Sequence, residues 1–270
     1  MTVVAAIPGT GEPLVIGLPW DEFRGYMRWA WRPGMHMAAI GPTGEGKTTT
    51  IAGLLQDRHY VLALDPKGED ETLTASGFTR VSYLPDEPRA WRRQIRHLTH
   101  TAAREPACWD CIHNTIAEGG PARVIIGGPA RTEAEDRRNQ ELMRRAFAYA
   151  RAAGGWTVYI DEFELVSSAE MFGQRRDVNR MLISARREGT SVVTSYQAQA
   201  WVSKHATRQA SFAAIWRTGD RDMVKAVAQS MGRDWRELEQ VVDLLPAWHV
   251  CLIPRGRSGG PLVCTSAPEL

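Results

Sequence analysis

Cysteine is scarce in this chain. Four cysteines among 270 residues make no disulfide framework and suit a reducing cytosol. Long apolar runs are missing too. No uninterrupted stretch approaches the roughly 20 residues that cross a bilayer, so direct membrane insertion is not expected. The first residues, Met1 to Gly9, lack the basic start and apolar body of a secretory signal. These features together point to a cytoplasmic protein. Charge of one sign is not in excess either: 33 Lys and Arg against 31 Asp and Glu leave a net charge of +2. Any nucleic-acid surface must therefore be local. There is no internal repeat and no low-complexity segment. What remains is a composition of 43% hydrophobic and 24% charged residues, ordinary for one large globular α/β domain.

The most informative stretch is Gly41-Pro42-Thr43-Gly44-Glu45-Gly46-Lys47-Thr48. It fits G-x-x-x-x-G-K-[ST], the phosphate-binding loop. Met35 to Ile40 reads as a buried strand before it, and Thr49 to Leu55 as the first turns of a helix after it. Strand, Gly-rich turn and helix N-terminus converge backbone N–H groups on an anion, with the helix dipole behind them. Residues Gly41 to Thr49 are the expected ATP contacts. Lys47 reaches the β- and γ-phosphates, and the Thr48 hydroxyl ligates Mg²⁺.

Around this loop the chain alternates. Pro13 to Gly17 reads as a strand. Trp20 to Trp31 reads as an amphipathic helix closed by Pro33-Gly34. Its stripe of Trp20, Phe23, Met27 and Trp31 is read as packing, with a base-stacking or partner surface as the alternative. Further strands are expected at Tyr60 to Asp65, Arg80 to Leu84, Ala122 to Gly127, Trp156 to Asp161, Thr190 to Ser195 and Ser211 to Arg217. Helices are expected at Pro88 to Thr101, Glu133 to Ala153, Ala169 to Glu188, Asp220 to Met231 and Asp234 to Leu245. Val250 to Pro254 and Pro261 to Cys264 read as a terminal hairpin. The arginines of the helices, such as Arg92, Arg93, Arg96, Arg137, Arg138, Arg144 and Arg145, suit solvated faces. Alternating strands and helices specify a largely parallel sheet with helices on both faces; with the phosphate-binding loop, the chain resembles the P-loop NTPases of the RecA-like, additional-strand kind. Such sheets bind ligands beyond the carboxyl ends of their strands.

Two acids stand at one of those ends. Asp161-Glu162, after an apolar strand and about 115 residues beyond the P-loop, make a Walker B pattern. Asp161 is assigned to Mg²⁺, through a water. Glu162 is assigned as the base that polarises the attacking water. Gln197, after another strand, is placed to meet the γ-phosphate or that water.

The chain resembles the FtsK/HerA group of P-loop motor ATPases, which includes conjugative coupling proteins of the TraG/TraD type and viral genome-packaging ATPases. His36 before the P-loop strand, Leu64-Asp65-Pro66-Lys67-Gly68-Glu69, Ile160-Asp161-Glu162-Phe163 and Ala185 to Gln197 carry the resemblance, over about residues 33 to 255. It implies a ring, usually a hexamer, that hydrolyses ATP to pull double-stranded DNA through its channel. It also implies an arginine supplied to each site by the neighbouring subunit, matched here by Arg187 and Arg186. Residues 1–34 then lead into the motor, and residues 35–270 form it, with a helical insertion at about 86–121. Glu45 departs from the Ser or Arg common in the group.

No N-terminal membrane helices, large all-helical insertion or C-terminal winged helix are read in the chain. A partner such as a portal, a secretion channel or a membrane protein is therefore expected to anchor the motor, at a membrane complex or viral capsid. Two other functions stay open: a motor of the same fold for virion assembly or protein secretion, and a nucleotide-binding switch without mechanical work. His97, His100, Cys108, Cys111 and His113 raise structural zinc. Without a second Cys pair, reduced cysteines in an ordinary insertion are the preferred reading.

Overall fold

A computed structural model describes residues 2–6, 13–68, 70–81, 121–167, 175–197, 204–256 and 262–268. The insertion expected at about 86–121, its helix at Pro88 to Thr101 and the residues weighed for zinc lie outside the described residues. So do Glu69 and the turn of the terminal hairpin.

Strands β1 (Thr2–Ala6) and β2 (Pro13–Gly17) lead to helix α1 (Trp20–Ala30). The P-loop unit is β3 (His36–Ile40) and α2 (Lys47–Leu55). Then come β4 (Tyr60–Leu64), α3 (Glu71–Ala75) and β5 (Thr79–Val81). β6 (Ala122–Ile126), α4 (Glu133–Ala153) and β7 (Thr157–Ile160) follow. Next are α5 (Phe163–Ser167), α6 (Arg175–Ser184), a 3₁₀ turn (Ala185–Glu188) and β8 (Ser191–Tyr196). The chain continues through α7 (Lys204–Gln209), β9 (Ala210–Trp216), α8 (Arg221–Met231) and α9 (Trp235–Leu244). It ends in the antiparallel pair β10 (His249–Pro254) and β11 (Leu262–Ser266).

All the described strands join one 11-stranded sheet, in the order β1-β2-β11-β10-β9-β3-β8-β7-β4-β6-β5. From β9 to β5 every pairing is parallel. β10 and β11 add antiparallel strands beyond β9. β2 pairs parallel with β11 and antiparallel with β1. The strand that separates the P-loop strand β3 from the Asp161 strand β7 is β8, the additional strand expected from the sequence.

Both faces of the sheet are covered, which explains the unbroken apolar runs. In β4, Leu62 and Leu64 enter one core and Val61 and Ala63 the other, the two-residue alternation of a strand. α1, α2 and α3 pack on one face through Phe23, Met27, Ile51, Leu55 and Leu73. α4, α6, α8 and α9 pack on the opposite face. Phe23, Met27 and Trp31 are buried, so most of the α1 stripe is spent on packing.

α4 is a 21-residue helix because its ends are specified locally. Thr132 and Glu135 form a capping box, acids fill the first turn, and Leu142, Met143, Ala146, Phe147 and Ala150 recur on one face. The helix expected over Ala169 to Glu188 is, among its described residues, α6 followed by a 3₁₀ turn that stops at Gly189, whose φ is 68°. Among the described residues no helix is long and apolar enough to cross a membrane. Cys251 and Cys264 are buried free thiols facing each other across β10 and β11.

Candidate active site

The carboxyl ends of β3, β7 and β8 open on one cleft of ≈ 250 Å³. The P-loop forms its floor. Gly44 and Gly46 have φ of 84° and 82°, a backbone that a side-chain-bearing residue would strain. Gly46 is also the residue before α2. The loop's amides therefore precede a helix N-terminus, the arrangement that favours an anion. Thr43, Gly44, Gly46, Lys47, Thr48 and Thr49 line the cleft. Gly41 is buried behind them, its amide donating to the Tyr196 carbonyl at 3.3 Å.

Lys47 Nζ donates to the Pro42 carbonyl at 2.6 Å. Burial lowers its pKa, opposed by the charges of Asp161, Glu164, Glu162 and Glu45. It is a cation partly stripped of water, which strengthens its pull on an added anion.

Asp161 follows β7 directly, and its amide donates to the Leu64 carbonyl at 3.1 Å. Its Oδ1 accepts from the buried Tyr159 hydroxyl at 2.8 Å. Burial pushes the Asp161 carboxyl up to about 6, against the lowering effect of Tyr159; Asp70, Glu162 and Asp65 raise it further. The Thr48 side chain lies beside the same Tyr159 hydroxyl.

Glu162 lines the cleft with a φ of 46°, unusual for a residue with a side chain. Its Oε1 is ion-paired with Lys67 Nζ. Its Oε2 is buried with no hydrogen-bond partner. Gln197 also lines the cleft, and its backbone N–H donates to Glu164 Oε1 at 2.6 Å.

Asp65 acts differently. It is buried and accepts from the Gly68 and Asp70 amides at 2.9 and 3.0 Å and from Arg80 Nη2 at 2.9 Å. It folds the Asp-Pro-Lys-Gly turn that carries Lys67 to Glu162. Gly68 has φ 72°, and a Cβ there would fall 2.0 Å from the Gly128 carbonyl carbon. No bulkier residue fits that turn.

Arg186 and Arg187 are exposed at the other end of the sheet, in the turn that enters β8. Six strand residues, roughly 20 Å at 3.3 Å each, separate that turn from the cleft. Within one chain they do not meet Glu162.

Thr72, Ser195, Tyr196 and Trp248 complete the lining. No motif marks Thr72 or Trp248. Only the end of β8, where Ser195 and Tyr196 stand, carried a usable signal in the sequence.

No family model matches this chain, and no curated protein matches it. Solved structures do. The genome packaging NTPase B204 of Sulfolobus turreted icosahedral virus 2, with sulfate, superposes with a TM-score of 0.54 at 13% identity, over 88% of this chain and 98% of that one. The same protein with ATP-gammaS gives 0.51 at 13% identity, over 88% and 99%. VirB4 of Thermoanaerobacter pseudethanolicus gives 0.54 at 11% identity, over 87% and 89%. At these identities the likeness is one of fold alone, and it agrees with the largely parallel P-loop NTPase sheet expected from the sequence.

Proposed function

We propose that this chain hydrolyses ATP with Mg²⁺ as a ring-forming, hexameric motor that moves double-stranded DNA, in conjugative transfer or phage genome packaging. The observation that carries the reading is Glu162. A carboxylate with one oxygen paired to Lys67 and the other buried without a partner lines the same cleft as the P-loop. A buried acceptor left unsatisfied costs free energy, so a ligand that satisfies it is the physical rationale for keeping it.

In this reading the P-loop amides and Lys47 hold the β- and γ-phosphates. Glu162 Oε2 takes the proton of a water as its oxygen attacks the γ-phosphorus. The bond from that phosphorus to the β,γ-bridging oxygen breaks, and ADP leaves with the electron pair. Gln197 orients the water or the γ-phosphate. Arg187 or Arg186 of a neighbouring subunit meets the charge that develops on the phosphoryl oxygens. Thr48 and Asp161 are the residues that would hold Mg²⁺, a small donor set suited to an ion that also takes phosphate oxygens. Bound Mg²⁺ neutralises charge on those oxygens.

The fold likeness to a genome packaging NTPase and to VirB4 supports a motor without naming its cargo. The test is the ATPase rate of the full chain with and without duplex DNA, alongside negative-stain imaging. Stimulation by DNA together with rings supports the proposal. Steady hydrolysis indifferent to DNA would move the reading to an assembly or secretion motor. Binding without turnover would leave a nucleotide switch.

A further inference from the structure

Among the described residues only two that are not glycine have positive φ: Glu162 at 46° and Trp248 at 62°. Both line the cleft. For a residue as bulky as tryptophan this backbone is an outlier, kept only where surroundings over-determine it.

Three contacts fix Trp248. Its carbonyl accepts from the Ala267 amide at 2.7 Å. Its amide donates to Glu45 Oε2 at 3.4 Å. Its ring lies on the P-loop, with Cε3 3.0 Å from where a Gly46 Cβ would stand. Core packing does not explain the ring, because Trp248 is 53% exposed. An indole held rigid at the rim, half in solvent, is a flat apolar surface without a partner.

Its place beside the P-loop gives that surface a use. Phosphates cradled by Gly44 to Thr48 leave the nucleoside to extend past the first turn of α2. Thr49, just past the phosphate loop, and Trp248, against Gly46, both line the cleft.

We propose that Trp248 is the base platform of this site, taking one face of a purine by stacking, and that Glu45 positions it. This rests on the reading of the cleft as a nucleoside triphosphate site. Stacking uses a π-face that every base has, so ATP and GTP are bound with similar affinity and pyrimidine nucleotides more weakly. It also gives Glu45 a task that a phosphate loop does not need from a carboxylate, which would repel the anion.

The test is calorimetric titration of the full chain with ATP, GTP, CTP and inorganic tripolyphosphate, in Mg²⁺, for wild type, Trp248→Phe and Trp248→Leu. Leucine keeps bulk over Gly46 and removes the ring. The expected result is about tenfold weaker ATP binding in Trp248→Leu. Trp248→Phe should retain most of the affinity, and tripolyphosphate binding should change less than twofold. Equal weakening of ATP and tripolyphosphate would show that the ring only props the loop and overturns the proposal. ATP binding unchanged in Trp248→Leu overturns it too. If wild-type protein binds neither ATP nor tripolyphosphate, the cleft is not a triphosphate site and both readings fall. Should Trp248→Leu not fold, photolabelling of wild type with 8-azido-ATP decides. Label on the peptide that carries Trp248 supports the platform, and its absence there in a labelled protein refutes it.

Discussion

The two ends of the central strands carry the same kinds of residue and use them in opposite ways. At the amino ends, several polar groups are consumed by the fold, although Thr190 Oγ1 is buried without a partner. His36 receives the Val192 amide on Nδ1 at 3.0 Å and gives its Nε2 proton to the Leu182 carbonyl at 3.0 Å. The Gly34 amide donates to Ser191 Oγ at 3.1 Å. Arg255 donates to the Ala210 and Thr207 carbonyls at 2.7 and 2.6 Å. At the carboxyl ends, Glu162 Oε2 has no partner, Asp161 is pushed up to about 6 by burial, and two backbones are strained. A fold satisfies its own polar groups where they serve stability and leaves them available where they serve a ligand.

The largest effect we expect would join the two ends. Arg187 stands at the amino end, so it reaches a cleft only if one subunit's amino edge meets its neighbour's carboxyl edge. Arg187→Ala should then bind ATP near normally and lose about 10³–10⁵ in turnover. Mixing it with Glu162→Gln chains should restore part of the activity, since some mixed sites pair a good base with a good arginine. No recovery in mixtures shown by labelling to co-assemble would count against Arg187 and move the search to Arg186 or Arg217.

Next is Glu162→Gln alone, which should bind ATP and hydrolyse it about 10²–10⁴ times more slowly in single-turnover assays. A wild-type rate would mean the unpartnered oxygen is not the base. Lys47→Ala removes the cation under the phosphates and should abolish ATP binding by calorimetry.

The amino end offers a pH test. Burial lowers the His36 pKa to about 4, below its ordinary value near 6.5. Between these values the unfolded chain takes up a proton that the folded chain refuses. The contribution is thus complete above about pH 6.5 and lost as pH falls toward 4, by roughly 3 kcal/mol. Urea melts from pH 7 to pH 4.5 should show the loss, and His36→Asn should flatten that slope. An unchanged slope would mean other groups carry it.

The smallest effect is expected at Lys67. It is 58% exposed on its side chain, so Lys67→Ala should change folding stability by less than about 1 kcal/mol. A larger loss in thermal melts would mean the pair with Glu162 is part of the fold.

The legible parts of this protein are those whose residues are neighbours in sequence. Gly41 to Thr48 states a strand end, a turn and a helix start in eight residues. Asp161-Glu162 closes its own apolar strand. The helix expected at Glu133 to Ala153 is α4, and its start is held by a contact across only three residues, the capping box of Thr132 and Glu135. Short elements were less visible. β1, α3, α5 and α7 run to only five or six residues, too few for a periodic pattern to stand out.

The sequence by itself therefore determined the phosphate loop, the acidic pair and the alternation that makes a covered parallel sheet, since each is written in local spacing. Tertiary structure alone decided what meets across the cleft. Lys67 and Glu162 are 95 residues apart, and Trp248 and Glu45 are 203 apart. The aromatic stripe of α1, read as packing with a base surface as the alternative, lies largely in the core, while a tryptophan in no motif rests on Gly46. Strand order brings such residues together. It is fixed by the packing of whole faces against one another, and no window of sequence contains that.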